Sequence, residues 1–94
     1  MPAYLIAAHQ ITDPSKFETA RAQAAALIDK YGGRYLTKPG THRILGNAEW
    51  QPDRVVIIEF PDMTTLNAFY ASPEYQPVLK LRHESTVDLM IAIE

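Results

Sequence analysis

Glu59 stands near the end of RVVIIEF (54–60), a carboxylate in a run that is otherwise apolar after its first residue. A strand sends alternate side chains to opposite faces, so Glu59 shares a face with Val55 and Ile57 while Val56, Ile58 and Phe60 take the other. The wholly apolar set suits a helix-covered core. Glu59 is therefore expected on the far side of the sheet, with Tyr4 and Gln10 of an earlier strand beside it. A carboxylate in a partly dry site favours its protonated form unless it is paired, and can then serve as general acid or base. The competing role is an ion pair with Arg34 or Arg54 that only fixes an interface, since buried charges are normally paired. Arg34 and Arg82 are suited to receive a carboxylate or other anionic ligand together, as guanidinium groups do, with Tyr75 beside Arg82. A structural salt bridge competes with that role as well, and Arg82 would also be favourable at a helix C-terminus.

The three histidines, His9, His42 and His83, have no metal-binding spacing: neither HxxxH nor HExxH occurs, and there is no cysteine. No metal site and no cofactor are expected. His83 reads as a cation at a helix end, and His9 as a hydrogen-bonded group at a sheet edge or interface. His42 follows a turn and is a candidate for the mouth of a cavity. Trp50, in the loop NAEWQPD (47–53), is a candidate lid or dimer contact. No phosphate loop, nucleophile elbow or dinucleotide fingerprint is present.

These residues must be positioned by the elements around them. AYLIAAHQI (3–11) reads as a strand. Asp13 and Pro14 then open a helix as N-cap and first helical residue. Its stripe is Phe17, Ala20, Ala24, Leu27, Ile28 and Tyr31, and Gly32-Gly33 ends it. GRYLT (33–37) and HRILG (42–46), joined by a KPG turn, read as extended segments, a hairpin or one bent strand. RVVIIEF is the strongest strand signal, rich in β-branched residues. Asp62 caps a second helix with Met63, Leu66, Phe69 and Tyr70 on its apolar face. In SPEYQPVLKLR (72–82), Ser72-Pro73 and Gln76-Pro77 are themselves helix-start signals. The second helix should therefore stop near Ala71, and a short third one should run from Pro73 to Arg82. TVDLMIAIE (86–94) is the last strand. Strand, Asp-capped helix and strand thus occur twice, which fits a four-stranded antiparallel sheet with both main helices on one face.

The net charge is −2 with no basic run, whereas phosphate-backbone binding needs clustered Lys and Arg. No nucleic-acid partner is expected. The absence of cysteine removes disulfides, thiolate zinc sites and cysteine nucleophiles together. MPAYLIAAHQITD carries no basic leader and an apolar run too short to span a membrane, so a cytoplasmic protein with no membrane partner is expected. The 94 residues form one domain, 1–94. YLIAA, VVIIEF and LMIAI are apolar on both faces, and two helices cover only one. A bare apolar sheet exceeds the patch size that monomers usually tolerate. A homodimer through sheet faces is the simplest cover, burying on the order of 800 Å² per partner.

The pieces TDPSKF, YGGRYL, EWQPDRVVIIEFPD and FYASPEYQPVLKLR, in that order along nearly the whole chain, resemble the DUF1330 family of the dimeric α/β-barrel superfamily. The resemblance implies an α+β, ferredoxin-like βαββαβ protomer with a short extra helix, whose sheets pair into a barrel. It names no activity. The superfamily includes cofactor-free monooxygenases, lactone isomerases, haem enzymes and ligand-sensing domains, and fold alone does not choose among them. The expected function is that of a small cofactor-independent enzyme or accessory protein, acting on a small anionic or carbonyl compound in a pocket between sheet and helices. Glu59 would be its acid or base, Arg34, Tyr75 and Arg82 would orient the ligand, and Tyr4, Trp50 and His42 are further candidate contacts. The alternative is a non-catalytic ligand-binding or dimerisation module. The two differ at Glu59, which a catalyst needs unpaired and a module needs paired.

Overall fold

Two aspartates start the two main helices. The Asp13 carboxylate accepts from the Lys16 N–H at 3.1 Å, and that of Asp62 from the Thr65 N–H at 2.7 Å. Each satisfies a backbone donor that the first helical turn leaves free. The computed structural model describes all residues from Met1 to Glu94. Its elements are β1 (Ala3–Ile11), α1 (Pro14–Lys30), β2 (Arg34–Tyr35), β3 (Arg54–Phe60), α2 (Met63–Ala71), α3 (Gln76–Ser85) and β4 (Thr86–Ile93). The strands form one four-stranded sheet in the order β2-β3-β1-β4, antiparallel throughout. No helix is long and apolar enough to cross a membrane.

One sheet face carries Ala3, Leu5 and Ala7 of β1 with Val56, Ile58 and Phe60 of β3, and these pack on Phe17, Ala20, Ala24 and Ile28 of α1 and Leu66 and Phe69 of α2. The exit from α1 is tight. Gly32 takes φ +77°, which a side chain resists. The Gly32 and Gly33 N–H groups return to the Asp29 and Ile28 carbonyls at 3.0 and 2.8 Å, the pairing of a Schellman cap. A Cβ on Gly33 would lie 2.7 Å from Ile28 Cγ2 and 2.9 Å from Phe60 Cε1, so glycine there lets helix and sheet close up.

The structure departs from the sequence expectations in two stretches. Residues 42–46 join no strand, and β2 is only two residues long. Leu36 still donates to the Ile57 carbonyl at 2.8 Å, but the Thr37 hydroxyl then accepts the Ile57 N–H at 2.9 Å. A side chain thereby takes a ladder position from the backbone, and Pro39 has no N–H with which to resume pairing. The third helix begins at Gln76, not Pro73, because Pro73, Glu74 and Tyr75 form a turn. The Ser72 hydroxyl holds that turn, donating to the Phe69 carbonyl at 2.8 Å and accepting from the Tyr75 N–H at 3.3 Å.

The other sheet face shows Tyr4, Ile6 and Ala8 of β1, Val55 and Ile57 of β3, and Val87, Leu89, Ile91 and Ile93 of β4. The four β4 residues are 41–51% exposed. No helix lies against this face.

Candidate functional site

His9 lies on the helix-facing side of β1, at 2% exposure, and not at a sheet edge or interface. β1 is a central strand, and the alternation that buries Ala3, Leu5 and Ala7 carries His9 in with them. Asp88 is its cross-strand partner on β4, and His9 Nδ1 is 2.7 Å from Asp88 Oδ1. Arg82 comes down from α3. Its Nη2 is 2.9 Å from His9 Nε2, 3.2 Å from Met90 Sδ and 3.9 Å from Asp88 Oδ1, while Nη1 donates to the Tyr75 hydroxyl at 2.7 Å. A guanidinium has only donors, so His9 Nε2 accepts. His9 is thus neutral, and its single ring proton on Nδ1 is donated to Asp88. Burial pushes the Asp88 carboxyl up, but the His9 hydrogen bond and the Arg82 charge outweigh it and hold the group below the ordinary aspartate value. Burial pushes the Tyr75 phenol up despite the adjacent Arg82. Two buried atoms of this network, Arg82 Nε and Asp88 Oδ2, have no partner.

Arg82 and His9 also line a cleft of ≈ 20 Å³ between α1 and the sheet, floored by Ala7, Val56 and Ile58. Arg21 of α1, Arg54 of β3 and Tyr35 of β2 complete its polar wall. Arg21 is paired at the rim with Glu18. Arg54 has no carboxylate partner and makes no side-chain hydrogen bond within the chain. Its guanidinium lies over the Phe17 ring, 5.6 Å from the centroid. Burial lowers the Arg54 pKa, and the like charges of Arg21 and Arg82 add to this, while Tyr35 and the Glu18 carboxylate partly offset it. Three guanidinium groups therefore converge on an apolar floor, and one of them has all its donors free. A planar anion is the chemical complement of that arrangement.

The residues singled out in the sequence fall into two separate groups. Arg34 Nε donates to Glu59 Oε1 at 2.9 Å, on the face away from the helices. Glu59 therefore does not line the cleft, and its pairing with Arg34 leaves any acid–base role in the cleft to another group. Arg34 and Arg82 sit on opposite faces of the sheet and cannot hold one ligand between them within a protomer. Tyr4 is opposite Glu59 in the β1–β3 register. Trp50 Nε1 donates to Gln10 Oε1 at 3.1 Å, at the far end of that open face. His42 Nε2 donates to the Pro52 carbonyl at 3.0 Å, tying the two ends of the 42–52 loop together. Only Tyr75 and Arg82 belong to the helix-side group, where His9, Asp88, Arg21 and Arg54 join them. Arg54 was reachable by parity, since it alternates with Val56 and Ile58. The same parity puts Asp88 with Met90 on the covered face of β4.

The helix-covered antiparallel sheet with its cleft makes this an α+β protein of the ferredoxin-like class. The chain belongs to the DUF1330 family, described as a domain of unknown function, whose model matches residues 2–94. Its structure is similar to a protein of unknown function from Rhodopseudomonas palustris at 15% identity and a TM-score of 0.78, covering 98% of this chain and 80% of that one. A dimeric ferredoxin-like protein of unknown function from Jannaschia sp. CCS1 matches at 15% identity and 0.76, covering 100% and 99%. SnoaB, a cofactor-independent oxygenase from Streptomyces nogalater, matches at 14% identity and 0.69, covering 99% and 91%. No curated protein matches the sequence. At these identities the likeness is one of fold.

Proposed function

We propose that this protein acts, without a cofactor, on a small carboxylate or similarly anionic carbonyl compound held in the arginine cleft, and that it works as a homodimer joined through the open sheet faces. The observation that carries the reading is Arg54: half-buried, flanked by two other arginines, and with no carboxylate in direct contact, Glu18 being spent on Arg21. Isolated buried charges are costly and are normally compensated, and a bound anion would supply the compensation. The inner volume of ≈ 20 Å³ takes a group the size of a water or a carboxylate oxygen. The rest of the ligand would lie toward Tyr35 and Arg21.

The chemistry follows from the neighbouring network. An anion that draws the Arg82 guanidinium toward itself competes with the Arg82–His9 hydrogen bond. Freed of Arg82, His9 Nε2 becomes a base able to take a proton from the ligand, and Asp88 at Nδ1 would stabilise the resulting imidazolium. Cofactor-independent chemistry on this fold has a counterpart in the oxygenase from Streptomyces nogalater. The dimer rests on the exposed apolar β4 side chains and on the dimeric state of the Jannaschia protein. The cytoplasm is a setting open to a chain without cysteine.

The test is calorimetric titration of benzoate, pyruvate and acetoacetate into the wild type and Arg54→Met. Hydrogen bonds to charged groups contribute about 1.5–3 kcal/mol, so the variant should bind roughly 10- to 150-fold more weakly. Equal affinity in the variant, or no binding of any of the three to wild type, would overturn the proposal.

A further inference from the structure

A second cavity lies under α2, with a volume of ≈ 160 Å³, lined by Leu5, Leu66, Asn67, Tyr70, Met90 and Ala92. It shares no residue with the arginine cleft. The pocket is open to solvent on the side of Asn67 and Ala92, which are exposed, and its volume is close to that of a cavity that accepts a guest the size of benzene. No charged side chain lines this chamber, so an ion placed there would have no counter-charge in its wall. Asn67 and Tyr70 are the polar members of its lining, and neither side chain is hydrogen-bonded within the chain. The Tyr70 phenol is partly buried, which holds it in its protonated, donating form at neutral pH. Its ring packs at 5.6 Å from that of Tyr75, and Met90 touches Arg82 through its sulfur at 3.2 Å. The chamber is thus one side chain away from the His9–Arg82–Asp88 network.

We propose that this chamber binds a small neutral aromatic compound, a single ring carrying one hydroxyl or carbonyl group, at a site separate from the anion in the arginine cleft. Volume limits the guest to one ring, the uncharged wall selects a neutral one, and Asn67 with Tyr70 supplies partners for one polar substituent. The experiment is an amide and methyl NMR titration with phenol and with toluene. The expected result is saturable shifts confined to Leu5, Leu66, Asn67, Tyr70, Met90 and Ala92, with phenol bound at least threefold more tightly than toluene. Tyr70→Phe should bring phenol and toluene affinities together while leaving toluene binding intact. Ala92→Leu, a partial filling of the exposed wall, should weaken both at least fivefold with the far-UV spectrum unchanged. Arg54→Met should bind phenol as the wild type does, which keeps failure of this site distinct from failure of the arginine cleft. Shifts that do not saturate or that scatter over the open sheet face, or undiminished binding in Ala92→Leu, would overturn the proposal.

Discussion

Replacing Asp88 with asparagine changes almost no volume and removes the one carboxylate near Arg82. The side chains of Arg82 and Asp88 are 8% and 6% exposed, so solvent contributes little to their compensation. An asparagine oxygen can still accept from His9 Nδ1, but as a neutral bond it contributes about 1 kcal/mol where a charged one contributes roughly 1.5–3. The larger loss is electrostatic: breaking a buried pair by removing one partner costs about 3–5 kcal/mol, because the other charge stays buried. For a domain of this size 1 kcal/mol moves the melting temperature by roughly 4–8 °C, so Asp88→Asn should melt at least about 12 °C below wild type at pH 7. Both proteins must be compared at one chain concentration, since any self-association would make the melting temperature concentration-dependent. The effect has a pH signature. A carboxyl whose folded pKa is depressed stabilises the fold above its unfolded value of about 3.9, and that contribution is lost as pH falls through the folded value. The gap between wild type and Asp88→Asn should therefore be constant above about pH 5 and close below about pH 4. A variant within about 0.5 kcal/mol of wild type at pH 7, or a gap that persists at low pH, would refute the assignment of Asp88 as the buried counter-ion.

Gly33→Ala places a Cβ 2.7 Å from Ile28 Cγ2 and 2.9 Å from Phe60 Cε1, and should cost about 1–3 kcal/mol as overpacking, read by urea denaturation. An unchanged midpoint would mean that α1 and β3 can part without cost. Ile91→Lys puts a charge on the open face opposite Ile6 and should convert a micromolar dimer to monomer in sedimentation velocity. A wild type that sediments as a monomer, or an Ile91→Lys dimer, would rule out the sheet-face interface.

β1 and β3 were legible to the residue because their apolar, β-branched runs are bounded by Asp13-Pro14, Pro52-Asp53 and Pro61-Asp62, all of which resist extending a strand. Both main helices start at the aspartates that mark them in the sequence. The segment 36–53 was not legible: HRILG has strand-like composition, but composition does not reveal that Thr37 would take over the ladder at Ile57. The start of α3 misled for a related reason. Ser72 does hold Tyr75, yet as the hinge of a turn and not as a helix cap. For the site, parity along one strand was enough to place Glu59 away from Phe60, and the same rule could have put Arg54 on the cleft side. The His9–Asp88 contact joins residues 79 apart in sequence. It depends on the β1–β4 register, which no local pattern encodes. Sequence spacing also could not show that Arg34 and Arg82 fall on opposite faces, since one is carried by a strand and the other by a helix.

Whether an anion occupies the cleft among Arg21, Arg54 and Arg82 is decided by a crystal of the protein soaked in 4-bromobenzoate. Carboxylate density is expected within hydrogen-bonding distance of the Arg54 guanidinium and of Arg82. The anomalous bromine peak should lie toward Tyr35 at the mouth of the cleft. Bromine found only beside Arg34 on the sheet face away from the helices, with nothing but water against Arg54, would contradict the anion site.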